Sequence, residues 1–333
     1  MKLTFWDLGS IIWRKGDGRM IYTLTLNPAI DKTVEIPGFS VGAVNRMTSV
    51  RMDVGGKGFN VSKCLQQLDC PSVAVGFLGG GAGKWAAAEL QAMNIPLLQV
   101  EIAAQTRTNL KIIDPEQGCN THINEPGPEI QPRELEALLA LLDTRIQSGD
   151  LLILSGSLPK GLPHTLYRDL IARFQSRGAI VYLDADGENF RQGITAAPAL
   201  IKPNLDELSG FFGQTLDSRD KILEAGRSLI SMGIREVVIS LGGEGALFLD
   251  ASGCTRAMGL QVPVRSTVGA GDSMVAALAY GQTAGLPRQD RLRLAVAISA
   301  ASVTCSGTQA PDRELIQTLS KQVVLVEEHL PTN

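Results

Sequence analysis

Apolar and polar residues along this chain follow two periods, and the places where the period changes mark its elements. Ile21-Tyr22-Thr23-Leu24-Thr25-Leu26 is a β-type run closed by Asn27-Pro28-Ala29. From about Lys32 to Val54, Thr, Val, Ile and Arg alternate without a helical period, which predicts a β-hairpin. Val61, Cys64, Leu65 and Leu68 then recur at helical spacing. Val73 to Phe77 reads as a strand, Gly79-Gly80-Gly81 as a loop, and Lys84 to Met93 as a helix. Another β-type run opens at Thr106-Arg107-Thr108-Asn109 and ends near Gly118, with Asn120 to Asn124 as its partner.

From about Glu129 the alternation becomes regular. Helix 132–147, strand 151–155, helix 163–176 and strand 179–184 are followed by strand 199–202, helix 218–232 and strand 236–241. The last helices run from Asp272 to Ala284 and from Gln289 to Val303. Short apolar strands separated by helices predict a parallel sheet covered on both faces. Right-handed crossovers would gather the strand ends on one edge, where α/β proteins place their ligand groups. Those ends are polar or glycine-rich: Asn27 with Asp31, Ser155-Gly156-Ser157, Asp184, Lys202-Pro203-Asn204, and Gly242-Gly243-Glu244-Gly245.

Residues 1–19 carry Trp6 and Trp13 but lack the uninterrupted apolar core of a signal peptide. They are expected to be a dispensable extension, with the domain spanning 20–320 and a tail from 321 to 333. An apolar content of 44% in 333 residues supports a large core, and a net charge of −3 gives no case for nucleic-acid or membrane partners. Five scattered cysteines without a CxxC pair favour reduced thiols and a cytoplasmic setting, and three histidines show no metal-ligand spacing.

Chemistry concentrates in Thr267-Val268-Gly269-Ala270-Gly271-Asp272-Ser273, which leads straight into the apolar run Met274 to Ala279. Such a loop turns backbone N–H groups toward one point at a helix N-terminus and favours an anion there. Asp272 would repel a phosphate that was merely bound. It fits a carboxylate that takes a proton from a hydroxyl while the N–H groups steady a transferring phosphoryl group. Taken alone, the stretch also fits a tight turn with an acidic first helical turn. Gly55-Gly56-Lys57-Gly58-Phe59-Asn60-Val61-Ser62 is a second glycine-rich helix start, with Lys57 as a cation, and it lacks the spacing of a P-loop.

These segments, with Asn204-x-x-Glu207 and the Ser240 to Gly245 loop, resemble the ribokinase-like (PfkB-type) sugar kinases, and within them the phosphosugar branch. The likeness runs from Met20 to about Gly307. It implies a three-layer α/β/α Rossmann-like core with a small β-sheet lid from about 32–54 and 107–124, and a homodimer formed through the lids. It implies that Asp272 is the base and the Gly269, Ala270 and Gly271 backbone the anion hole. Asn204 and Glu207 would position Mg²⁺ through water, because Mg²⁺ keeps much of its hydration shell. Ser240, Gly242, Gly243, Glu244 and Gly245 would line ATP, with Lys202 near its phosphates. Asp31, Gly55, Gly56, Asn60 and Asn109 would face the sugar, with Lys57, Arg107 and Ser157 near its existing phosphate. A monovalent cation is a further implied ligand. The expected reaction is transfer of the γ-phosphoryl group of Mg-ATP to a ketohexose phosphate, fructose 1-phosphate before tagatose 6-phosphate or fructose 6-phosphate. A non-catalytic sugar-phosphate sensor on the same fold would have lost its base or its glycines, and all are present. One departure is Asp69, an anion at a helix C-terminus where glycine is preferred.

Overall fold

The structure is a computed structural model, and it describes residues 18–328. The chain opens with β1 (Ile21–Thr25), β2 (Ala29–Glu35) and β3 (Ser49–Gly55). Next come α1 (Lys57–Gln67), β4 (Ser72–Gly79), α2 (Gly80–Ala92), β5 (Leu97–Ile102), β6 (Arg107–Asp114) and β7 (Cys119–Asn124). The regular alternation begins with α3 (Pro132–Arg145), β8 (Leu151–Ser155), α4 (Leu166–Gln175) and β9 (Ile180–Asp184). It continues through α5 (Gly187–Ile194), β10 (Leu200–Ile201), α6 (Leu205–Phe212), α7 (Arg219–Ser231) and β11 (Glu236–Ser240). The C-terminal part holds β12 (Gly245–Asp250), β13 (Gly253–Met258), α8 (Ala270–Thr283), α9 (Arg288–Ser302), α10 (Arg313–Ser320) and β14 (Leu325–Glu328).

Ten strands form one sheet in the order β14-β13-β12-β11-β10-β9-β8-β1-β4-β5. Neighbours from β11 to β5 pair in parallel, whereas β12, β13 and β14 pair antiparallel. The chain first builds outward from β1 through β4 to β5, then returns to β8 on the other side. The crevice at that reversal is where a doubly wound sheet binds its ligands.

Alternation along the strands divides the core in two. Tyr22, Leu24, Leu152, Leu154, Val181 and Leu183 face one helical layer, while Ile21, Leu151, Ile153 and Tyr182 face α8 and α9. Met274 to Ala279 of α8 is fully buried, because small side chains let that helix lie close to the sheet.

The lid is a separate four-stranded sheet, β3-β2-β6-β7. Its register puts Asp31, Asp53, Asn109 and Asn124 across from one another on one face, and Met52, Lys32, Leu110 and Ile123 on the other. The second face carries Val50, Met52 and Ile123 exposed, continued by Val41, Val44 and Met47 in the loop after β2.

Several expectations need correction. Gly80 and Gly81 are not loop residues: α2 starts at Gly80, with Gly79 as N-cap, because Thr106 Oγ1 accepts the Gly79 N–H at 2.9 Å and fixes the turn. The strands β5, β12, β13 and β14 and the helices α5 and α10 were not predicted. β14 lies within the stretch read as a tail and pairs with β13. Trp6 and Trp13 lie outside the described residues. Asp69 adopts a left-handed conformation, φ 52°, and its carboxylate pairs with Arg313, which offsets its charge at the end of α1.

Candidate active site

The polar strand ends converge on the crevice beside β1 and β8, and one helix N-terminus points into it. Gly269, φ 86°, is the N-cap of α8, and Asp272 follows in the first turn, 6% exposed. The Ala270 N–H bonds the Thr267 carbonyl at the long distance of 3.4 Å, and the next N–H groups at this helix start lack an intrahelical partner, the arrangement that favours an anion. Lys202 reaches the same place from the end of β10: a Cβ on Gly271 would lie 2.9 Å from its ammonium nitrogen. Glycine at 271 thus lets a cation approach the helix start.

Asp184, at the end of β9, ties this corner together. Its Oδ1 lies 3.4 Å from Lys57 Nζ and 3.5 Å from Lys202 Nζ, and the carboxylate is 2% exposed. Burial alone would raise its pKa, but the Lys202 and Lys57 ammoniums more than reverse that, so its carboxyl sits below the ordinary range. The charge of Asp184 in turn raises Lys57 against the opposing effect of burial. Asp272 moves the other way. Burial, and then the nearby Asp184 charge, push it up to about 6, with Lys57 and a hydrogen bond from Asn60 opposing. The proton affinities of two carboxylates in one charge cluster are therefore pushed apart, the pattern expected where one of them handles a proton.

The glycine-rich start of α1 forms the neighbouring wall. Gly56 has φ 121°, and a Cβ there would fall 2.5 Å from Thr25 and 3.3 Å from the Pro28 backbone, so only glycine brings β3 into α1 here. Gly55 backs onto the Asp31 carboxylate, which also accepts a bond from Asn109 Nδ2 at 2.9 Å and is raised by burial. Asn60, expected to face the sugar, donates Nδ2–H to Asp272 Oδ2 at 2.8 Å and so fixes that carboxylate, which leaves its own Oδ1 for a further partner. Lys57, expected beside the sugar's phosphate, is already paired with Asp184. Arg107 donates to the main-chain oxygen of Asn27 at 3.0 and 3.3 Å and to that of Glu125 at 2.8 Å. Ser157 accepts from Asn27 Nδ2 at 3.1 Å. Among the described residues, the buried oxygens Asn27 Oδ1, Asn60 Oδ1, Asn109 Oδ1 and Asp184 Oδ2 have no hydrogen-bond partner. Acceptors held in this way suit a ligand rich in hydroxyl donors.

Between lid and core lies a cavity of about 300 Å³, lined by Asp31, Asp53, Asn109, Lys111, His122 and Thr308 among others. On the opposite side, Asn204 and Glu207 form a reciprocal capping box at the start of α6: Asn204 Oδ1 accepts from Glu207 N at 2.8 Å, and Glu207 Oε2 accepts from Asn204 N at 3.0 Å. Asn204 also pairs with Ser240 across a parallel bridge, which sets both beside the Gly242–Glu244 turn. Glu244 of that turn pairs with Arg256 at 2.9 Å, and Gly245 leaves it with φ 98°.

The family of pfkB family carbohydrate kinases matches residues 21–315. The chain belongs to this family. The 1-phosphofructokinase of Rhodobacter capsulatus is 36% identical over 306 residues, covering 92% of this chain and 97% of that protein. That of Bacillus subtilis (strain 168) is 34% identical, covering 91% and 98%. Among solved structures, phosphofructokinase-2 from Escherichia coli in complex with potassium matches with a TM-score of 0.87 at 30% identity, over 91% of this chain and 99% of its own. The tetrameric inhibited form of that protein gives 0.85 at 29%, with the same coverage. As a carbohydrate kinase of this family, the chain takes ATP as phosphoryl donor and an alcohol as acceptor.

Sequence reasoning spread Lys57, Asn60 and Lys202 over the sugar, its phosphate and ATP, whereas in the structure Asn60 bonds Asp272 and the two lysines flank Asp184 beside the α8 N-terminus. It gave no role to Asp184, although an acid closing the apolar strand Ile180–Asp184 was the available signal. Lys63 and Thr308 offered no local signal, since Thr308 reaches the site from 245 positions further along the chain.

Proposed function

We propose that this pfkB-family kinase phosphorylates fructose 1-phosphate to fructose 1,6-bisphosphate with Mg-ATP. The observation that carries the mechanism is the buried Asp272 carboxylate, oriented by Asn60 at the α8 N-terminus beside Lys202. Asp272 takes the proton of the acceptor hydroxyl. The freed oxygen forms a bond to the γ-phosphorus as the bond to the bridging β–γ oxygen breaks, and ADP leaves with that oxygen. The Gly269–Gly271 N–H groups and Lys202 offset the negative charge that collects on the transferring group. The oxygen-rich wall of Asp31, Asn109 and Asn60 serves the sugar hydroxyls, while Arg107, Lys57 and Ser157 stand near the phosphate it already carries.

Asn204 and Glu207 suit Mg²⁺ held through water. Their capping bonds leave Glu207 Oε1 uncommitted, its charge is felt at Lys57, and among the described residues no group of three or more His, Cys, Asp or Glu could chelate a metal directly. Bound there, the ion would neutralise phosphate charge and hold the donor in line. Ser240, Gly242, Gly243, Glu244 and Gly245 then border the nucleotide, and a monovalent cation is a further ligand in this reading. The apolar outer face of the lid, with Val50, Met52 and Ile123 exposed, supports a homodimer. Among the described residues no helix is long and apolar enough to cross a membrane, and with five free cysteines we place the enzyme in the cytoplasm.

Coupled ADP release with a panel of phosphosugars tests the substrate. Fructose 1-phosphate should exceed fructose 6-phosphate and tagatose 6-phosphate in kcat/KM by at least about tenfold. A higher value for either competitor would reassign the acceptor, and no turnover with any of them would refute the kinase reading.

A further inference from the structure

Lys63 lies on α1 one turn beyond Asn60, so both project from the same side of that helix. Its side chain is buried, 7% exposed, yet among the described residues its ammonium hydrogen-bonds only to neutral partners: Val54 O at 2.8 Å and Thr308 Oγ1 at 3.1 Å. Burying an ammonium against neutral oxygens alone is costly, and methionine would fill the same volume without that cost. The cost shows as a pKa lowered by burial, eased by the charges of Asp53, Asp31 and Asp272 among others.

The two bonds join segments that meet at the sugar cavity. Val54 is the next-to-last residue of lid strand β3, just before the Gly55-Gly56 turn into α1. Thr308 lines the cavity and lies 3.8 Å from where a side chain on Gly269, the N-cap of the catalytic helix, would begin. The adjoining Gly307, φ 65°, is approached closely by the Arg51 guanidinium of β3, which is itself bonded to Asp53 at 2.8 Å. The 307–308 turn thus packs between the lid and the start of α8, and the Lys63 ammonium ties it to α1.

We propose that Lys63 is a positioning residue, whose ammonium fixes the 307–308 turn between lid strand β3 and the α8 N-terminus so that the sugar pocket and Asp272 stay in register. The lysine touches neither substrate nor reacting atoms and acts through Val54 and Thr308. This inference rests on the kinase reading for its kinetic arm. A one-ångström shift of a bound acceptor relative to its base is enough to cost much of the rate.

The test compares Lys63→Met, Lys63→Arg, Thr308→Val and the Met/Val double variant in steady-state kinetics with phosphosugar and ATP varied separately. Lys63→Met should lower kcat/KM for the phosphosugar by about tenfold while the KM for ATP moves less than about twofold. Thr308→Val should lower it by about fivefold, the worth of one hydrogen bond, and the double variant should be little worse than Lys63→Met alone. Lys63→Arg should recover most of the loss. The proposal is overturned if the losses multiply in the double variant, or if phosphosugar and ATP parameters fall together with thermal stability. Should Lys63→Met fail to fold, an unchanged phosphosugar kcat/KM in Thr308→Val overturns it. If the wild-type chain turns over no phosphosugar, the kinase reading fails, and amide exchange at 54–56 and 307–309 decides the tether separately. Faster exchange in Thr308→Val supports it, and unchanged exchange overturns it.

Discussion

The two walls of the active-site crevice are built on different physical terms. On the core wall, Asp272, Asp184, Lys57 and Lys202 share one buried corner, and their charges shift one another's proton affinities. On the lid wall, Asp31, Asn109 and Arg107 are half-buried, Asp31 bonds the Asn109 amide and Arg107 bonds main-chain oxygens, and burial outweighs their mutual charges in shifting Asp31 and Arg107. A buried, mutually compensated cluster needs little reorganisation when charge moves, which suits the chemical step. A polar sheet face on a separate four-stranded lid suits selecting and enclosing the acceptor. If the division is right, damage on the core wall should appear in kcat, and damage on the lid wall in kcat/KM for the phosphosugar.

The largest effect should come from Asp272→Asn, which keeps the volume and the N-terminal position but removes the base. Turnover is expected to fall by about 10² to 10⁴ while ATP still binds. Retention of more than about a tenth of wild-type kcat would remove Asp272 from that role.

Arg107→Ala addresses the other wall. The guanidinium buttresses the Asn27 and Glu125 carbonyls, and burial lowers its pKa, with Asp31 and Glu125 opposing. If it also binds the sugar's phosphate as proposed, its loss should cost about 1.5–3 kcal/mol in kcat/KM for the phosphosugar, with ATP affinity nearly unchanged. An unchanged kcat/KM would make Arg107 a brace for the Asn27 turn only. A comparable fall in ATP affinity would blur the two walls into one.

The core wall was more legible in the sequence than the lid wall, and the reason is local. Gly269 to Asp272 and Gly55 to Asn60 are contiguous, and each motif states its own backbone geometry through glycine and its chemistry through one or two side chains. The parallel strands were legible because they are wholly apolar and end in polar residues. What escaped depends on distant pairing. Asn60 was read only as a sugar contact, and its bond to Asp272, 212 positions away, left no trace in the local sequence. β14 is short and half polar, and only the edge offered by β13 makes it a strand. The capping box of Asn204 and Glu207 was hidden for a different reason: the Asn204-x-x-Glu207 motif, given a Mg²⁺ role by the family resemblance, also has the spacing of a helix N-terminus.

The smallest expected effect is also the one that most sharply probes the core wall, because it turns on a sign. Burial and then the Asp184 charge raise Asp272 from an ordinary 3.8 to about 6. As a base it must be ionised, so kcat/KM should fall about tenfold per pH unit below that value. Asp184→Asn removes the second cause and leaves the Lys57 and Lys202 charges unopposed, so the acid limb should move to lower pH. Stability should run the opposite way to activity. The folded state binds more protons than the unfolded chain between the two values, so Asp272 contributes less stability as pH rises through that window. Asp272→Asn is free of this penalty, and its thermal midpoint should exceed that of the wild type by more at about pH 8 than at about pH 4. Melting both proteins across that range provides the measurement. A gap that stays constant or narrows as pH rises, or an acid limb that stays in place in Asp184→Asn, would show that the two carboxylates do not share one corner of charge.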